Sequence, residues 1–168
     1  CGVARRAPWG AALAGLPRPH QGRLLAFGVC SGKGVHEFGC PREIAGVGSH
    51  LNDFQVSPDG NTIYIAEASI LAKTPALIIY DVVKQKARRL LQEHVSVMPE
   101  DFVPVVQGRV MKVLGIFSIR PGVDSIGLSR DGEWLYYAAV NASHLYRVRT
   151  ADLRDESLSA KALAAKVD

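Results

Sequence analysis

Apolar and polar residues alternate most clearly in LNDFQVSPDGNTIYIAEAS, Leu51 to Ser69. Phe54 and Val56 alternate with polar neighbours, Asp59-Gly60 supplies the positive φ that a tight hairpin demands, and Ile63, Ile65 and Ala66 resume an apolar strand around Tyr64. The layout returns about seventy residues later in VDSIGLSRDGEWLYYAAVN, Val123 to Asn141, with Ile126 and Leu128 before Asp131-Gly132 and an apolar run from Trp134 to Ala139. A third strand follows each hairpin: ALIIYDV, Ala76 to Val82, and HLYRVR, His144 to Arg149, both rich in β-branched or aromatic residues. Upstream, Gly22 to Val29 reads as the same strand of an earlier unit whose hairpin is missing.

One S-x-D-G hairpin is common among β-proteins, but two in matching frame, each with a further strand, mark a repeat architecture. The prediction is an all-β chain, a partial β-propeller of two to three blades with a short C-terminal helix. Residues 1–21 read as an irregular segment, 22–50 as the remnant of a preceding blade, 51–100 and 101–150 as two blades, and 151–168 as a helical tail leading to a missing blade. Val103 to Val106 and Val110 to Ile119 are candidates for extra strands in the long connection. In the tail, Asp152 or Asp155 is the expected cap, with Leu158, Ala162, Leu163 and Val167 forming the apolar stripe. A blade takes about 40 to 50 residues and closed rings need roughly four to eight blades. The 168 residues, from Cys1 to Asp168, are therefore expected to be part of a longer protein, or a half-ring that closes as a homodimer to hide its open edges.

Composition adds limits. A hydrophobic content of 48% supplies a core, which argues against disorder. The formal charge of +4 is mild, and the one dense basic run, Lys84 to Arg89, reads as a solvated turn; neither a nucleic-acid surface nor an amphipathic membrane-binding helix is predicted. No stretch reaches the ~20 apolar residues of a membrane span. Cys30 and Cys40 flank a Gly-rich turn and read either as a disulfide or as free thiols; with His36 between them they do not match a common zinc pattern.

The LND start, the HVSVMPE stretch and the run LYYAAVNASHLYRVRTADLRD resemble the major royal jelly protein and Yellow family, over about Gly22 to the end of the chain. The resemblance implies a six-bladed propeller about twice this long, related to regucalcin- and gluconolactonase-like propellers. It also implies a secreted or periplasmic location. In the lactonase-like relatives a divalent cation sits in the central channel, held by oxygen ligands from the starts of the innermost strands. Asn52 matches a channel Asn beside the substrate and Asp124 matches a metal-ligating Asn, which makes the pair candidate ligands for Ca²⁺, Zn²⁺ or Mg²⁺. Asp53 is the neighbouring channel or strand-entry residue. The remaining ligands are expected outside this chain.

Against these roles stands a plainer reading, in which Asn52, Asp53 and Asp124 bond nearby backbone N–H groups at strand entries. His50 and His144 lack partners at ligand spacing and read as surface or packed histidines, and Ser57, Ser129 and Ser143 lack a nucleophile-elbow context. Three functions compete: a propeller that binds a small molecule in its channel, a metal-dependent lactonase or related hydrolase, and a structural, self-associating secreted protein.

Overall fold

The computed structural model describes residues 9–14, 23–28, 31, 33–70, 72–103, 105–110, 112–113, 117–118 and 120–168. Three antiparallel sheets follow one another along the chain. The first contains β1 (Trp9–Ala14), β2 (Arg23–Gly28) and β3 (Gly34–Gly39), in that order. The second is the four-stranded sheet β4 (Leu51–Val56), β5 (Thr62–Glu67), β6 (Ala76–Asp81) and β7 (Lys86–Leu90). Two short pairs come next, β8 (Val105–Val106) with β9 (Arg109–Val110) and β10 (Lys112–Val113) with β11 (Phe117–Ser118). The third sheet is β12 (Val123–Leu128), β13 (Trp134–Ala139) and β14 (Tyr146–Arg149), followed by α1 (Thr150–Arg154) and α2 (Ala160–Ala164). Each large sheet is a meander in which sequence neighbours pair, the arrangement of a partial β-propeller.

The middle sheet is buried on both faces, which explains the nearly unbroken apolar run of its central strands. Ile63, Ile65, Ile78 and Tyr80 pack toward the first sheet with Leu24, Cys40, Ile44 and Ala45. On the other face Tyr64, Ala66, Leu77 and Ile79 meet Val123, Ile126, Leu135, Tyr137 and Val148 of the third sheet, with Leu153 and Leu163 from the two helices. In β13 burial alternates, because only one of its faces meets that core.

The two hairpins share the same three side-chain hydrogen bonds. Ser57 Oγ donates to Asp59 Oδ1 at 2.5 Å and accepts from Thr62 N at 2.9 Å, while Asp59 Oδ1 also accepts from Asn61 N at 3.1 Å. Ser129 Oγ donates to Asp131 Oδ1 at 2.5 Å and accepts from Trp134 N at 2.9 Å, and Asp131 Oδ1 accepts from Glu133 N at 3.0 Å. Gly60 and Gly132 sit at φ 75° and 78°, which a Cβ would strain. Hydrogen bonds to the charged carboxylates, first from the serines and then from the backbone, hold Asp59 and Asp131 below the ordinary aspartate value of 3.8. A depressed pKa contributes stability that is present above the unfolded value and lost as pH falls through the folded one. Thermal unfolding midpoints should therefore drop as the pH is taken below about 4, and Asp131→Asn should flatten that part of the curve while lowering the midpoint at pH 6. An unchanged acid slope in the variant would remove this turn from the acid response.

Several sequence expectations need correction. The segment read as irregular contains a strand, β1, paired with β2 from Trp9↔Gly28 to Ala14↔Arg23. Most of the basic run is strand: Lys86 to Leu90 form β7 as the fourth strand of the middle sheet. Among the described residues the extra strands of the long connection are two-residue pairs, and residues 104, 111, 114–116 and 119 of those candidate runs lie outside the described residues. The single tail helix is two short ones, and the cap is neither Asp152 nor Asp155 but Ser159, whose Oγ accepts from Ala162 N at 3.1 Å. Beyond α2, Arg147 and Asp168 exchange backbone hydrogen bonds of 2.8 and 2.9 Å, which lays the final residue alongside β14. Cys30 lies outside the described residues; Cys40 is buried and its thiol is pushed up to about 11 by desolvation. Among the described residues no helix is long and apolar enough to cross a membrane.

Candidate functional site

The first strands of the two complete repeats, β4 and β12, run next to each other, and Gln55 Nε2 reaches across to donate to Ile126 O at 3.3 Å. Both strands break register at the same place. Between Leu51↔Glu67 and Phe54↔Ile65, β4 carries one residue more than its partner; between Val123↔Ala139 and Ser125↔Ala138, β12 does the same. The bulged stretches hold Asn52 and Asp53 in one strand and Asp124 in the other. A bulge takes a side chain out of the strict up-and-down alternation and re-aims it. In each of these two strands the irregular stretch coincides with candidate site residues.

The bulges bring these residues together. Asp124 is half-buried, and desolvation raises its carboxyl above 3.8; the like charge of Asp53 adds to the rise, while the charge of His50 and a hydrogen bond from Asn52 oppose it. Asn52 and Asp53 are exposed. Asp53 Oδ1 also accepts from Phe54 N at 2.8 Å, so the plain strand-entry role holds for that residue. His50, read from sequence as a surface or packed histidine, is exposed yet close enough to act on Asp124 electrostatically. Its only sequence signal is its place two residues before Asn52.

Behind this surface the backbone is stitched from blade to blade. Ala68 N donates to His50 O at 2.9 Å, Gly122 N to Ala68 O at 2.9 Å, and Val140 N to Gly122 O at 3.3 Å. Val123 N donates to Val97 O at 2.9 Å, tying in the long connection. Glu67, fully buried at the end of β5, accepts from His50 N at 2.9 Å and from Arg89 Nη2 at 2.8 Å. Arg89 also donates from Nη1 to Ile44 O at 2.6 Å and from Nη2 to Thr74 O. One carboxylate anchors this clamp and fixes the start of β4, where Asn52 stands.

The HVSVMPE connection ends on the third sheet. Glu100 Oε1 accepts from Ser143 N and Ser143 Oγ, both at 2.8 Å, and lies 3.2 Å from His144 Nδ1. These hydrogen bonds, the backbone one first, hold the Glu100 carboxyl below its ordinary range. His144 is thus a partner of Glu100 in a loop contact. Deeper in, Ser96 Oγ lies 2.9 Å from Tyr137 OH and 2.8 Å from His94 Nδ1, a buried chain whose burial drives the Tyr137 hydroxyl far up.

As a cation site the cluster is partial. Asn52 and Asp124 offer oxygen donors of the right kind, but among the described residues no group of three His, Cys, Asp or Glu side chains is placed to hold a metal ion. What the surface offers on its own is a carboxylate in a partly desolvated setting, an amide and a second carboxylate, a set of hydrogen-bonding and anionic groups.

No curated protein matches this chain. Among solved structures, hydrazine synthase of Kuenenia stuttgartiensis superposes with a TM-score of 0.57 at 13% identity, over 92% of this chain and 41% of that one. A prolyl endopeptidase structure gives a TM-score of 0.42 at 16% identity, over 88% of this chain and 27% of that one. The chain spans less than half of either. The model of the family described as "Major royal jelly protein" matches residues 16–167, nearly the whole chain, with both hairpins, the Glu100 connection and the α1–α2 tail inside the match. The chain therefore belongs to the major royal jelly protein family.

Proposed function

We propose that the surface formed by Asn52, Asp53 and Asp124 is part of a channel-end pocket that binds a small polar molecule. The observation that supports this reading is that the two repeats place equivalent bulges side by side, and that one of them holds a carboxylate where burial disfavours its charge. A half-buried aspartate with a raised pKa costs stability when ionised, and such costs are commonly retained where a ligand repays them. The two carboxylates and the Asn52 amide suit a ligand carrying an amine or several hydroxyls.

The pair of effects is testable together. A raised folded pKa contributes stability that is present below the unfolded value and lost as pH rises through the folded one, so at pH 7 the ionised Asp124 is a net cost. Asp124→Asn is expected to raise the unfolding midpoint at pH 7, with the gain disappearing toward pH 3. In calorimetry with phenethylamine as the probe, the same variant and Asn52→Ala should each weaken binding about tenfold, the loss of one good polar contact. If both variants bind the probe as the parent does, the pocket lies elsewhere.

A divalent-cation role for Asn52 and Asp124, with hydrolysis of a lactone, is the second reading; its support is the oxygen chemistry of the same two side chains at adjacent strand starts. It requires ligands beyond this pair. Titration of Ca²⁺ into the parent and into Asp124→Asn separates the two readings, since the cation reading expects heat that the variant loses.

A further inference from the structure

At the hairpin end of the middle sheet, opposite to the end that carries Asn52, a cleft of about 170 Å³ opens between the sheet and the corner joining α1 to α2. Strand register builds its floor in two rows on one face. Thr62, Asp81 and Lys86 stand opposite one another across β5, β6 and β7, and Tyr64, Ile79 and Arg88 form the next row. Arg154 and Glu156 from the α1–α2 corner close the other side, and Lys84 enters from the β6–β7 turn. Four cationic side chains thus face two carboxylates across one hollow.

The local partners do not satisfy that charge. Lys84 Nζ and Lys86 Nζ share Glu156 at 2.9 and 3.1 Å, and Lys84 Nζ also lies 3.8 Å from Asp81 Oδ2, which leaves these two carboxylates facing four cations. Arg88 Nη2 donates to Leu153 O at 2.8 Å, a neutral carbonyl. Among the described residues Arg154 makes no ion pair within 4.0 Å. Tyr64, next to Thr62 on the same face and close to Arg154, keeps a buried hydroxyl that finds no hydrogen-bond partner. Ile79 gives the hollow one apolar wall.

We propose that this cleft is a binding site for a tetrahedral oxyanion, a phosphate or phosphomonoester, held by Lys84, Lys86, Arg88 and Arg154 with Glu156 as a displaceable counter-carboxylate. Lysines act as point charges and arginines as planar forks, and the mixture surrounds a tetrahedral dianion from several directions. Glu156 occupies both lysines, its carboxyl drawn down to about 2 by their hydrogen bonds and charges, and a bound dianion takes its place. The site is independent of the Asn52–Asp124 surface.

Isothermal titration of the whole chain at pH 7.5 and low salt, with inorganic phosphate and separately with phenyl phosphate, tests it. Saturable binding is expected, weakened about tenfold by Arg154→Ala and by Lys86→Ala and unchanged by Lys33→Ala. Glu156→Gln should tighten binding at least about threefold, because the competing carboxylate is gone. Tighter binding of phenyl phosphate identifies a phosphomonoester as the ligand class, and equal affinities identify the free ion. Circular dichroism of each exposed-residue variant confirms its fold. The proposal is overturned if neither the parent nor Glu156→Gln binds either probe, or if Arg154→Ala and Lys86→Ala bind as tightly as the parent.

Discussion

Glu67→Ala is expected to lower the unfolding free energy by about 3–5 kcal/mol, the range for removing one partner of a buried ion pair. Its carboxylate is fully enclosed, and Arg89, whose side chain is 12% exposed, would be left with its charge facing backbone carbonyls alone. The loss goes beyond the pair. His50 N would lose its acceptor, so the start of β4 would loosen where Asn52 sits. Urea unfolding followed by circular dichroism measures the first effect. The double variant Glu67→Met, Arg89→Met separates charge from packing: it should recover most of the loss, since apolar replacement of a whole buried pair is often neutral or better. A cost below about 1 kcal/mol for the single variant, the worth of an exposed pair, would mean that water reaches the carboxylate.

The second large effect is expected at Gly122. A Cβ there would stand 2.2 Å from Pro75 Cβ, 2.5 Å from Pro75 Cγ and 2.7 Å from Val97 O. Two of these atoms belong to a rigid ring and the third accepts the Val123 hydrogen bond, so neither can yield cheaply. Gly122→Ala should cost about 1–3 kcal/mol, the usual range for overpacking, near its upper end. The backbone shift would also disturb Asp124, two residues on, and weaken probe binding with it. Gly127→Ala, in the strand that Gly122 leads into and with nothing within 4 Å of the added atom, is the control and should change stability by less than about 0.5 kcal/mol. Equal effects at the two glycines would show that the contact between the blades gives way.

How far the chain could be read in advance follows the range of the interactions. The hairpins were legible because Ser57, Asp59 and Gly60, and their repeats Ser129, Asp131 and Gly132, satisfy one another within a few residues. The nearness of Asn52 and Asp124 was legible from the matching frame of the repeats. Glu67 was not, since its partner Arg89 lies in another strand and looked like one more charge in a solvated run. Strand alternation divides that run: Arg89 points to the buried clamp, while Lys86 and Arg88 face the cleft beside the helices. β1 was hidden because its glycine and alanines carry little strand signal without the partner β2. His50 became visible only once two blades stood together.

The paired bulges have one further implication. Because the kink in the main chain sets the direction of positions 52 and 124, the second and third sheets present equivalent positions for different side chains. An amide in one and an acid in the other already show that the occupant can differ without rebuilding the sheet beneath it. Under the proposed ligand-binding role, selectivity would be rewritten one blade at a time.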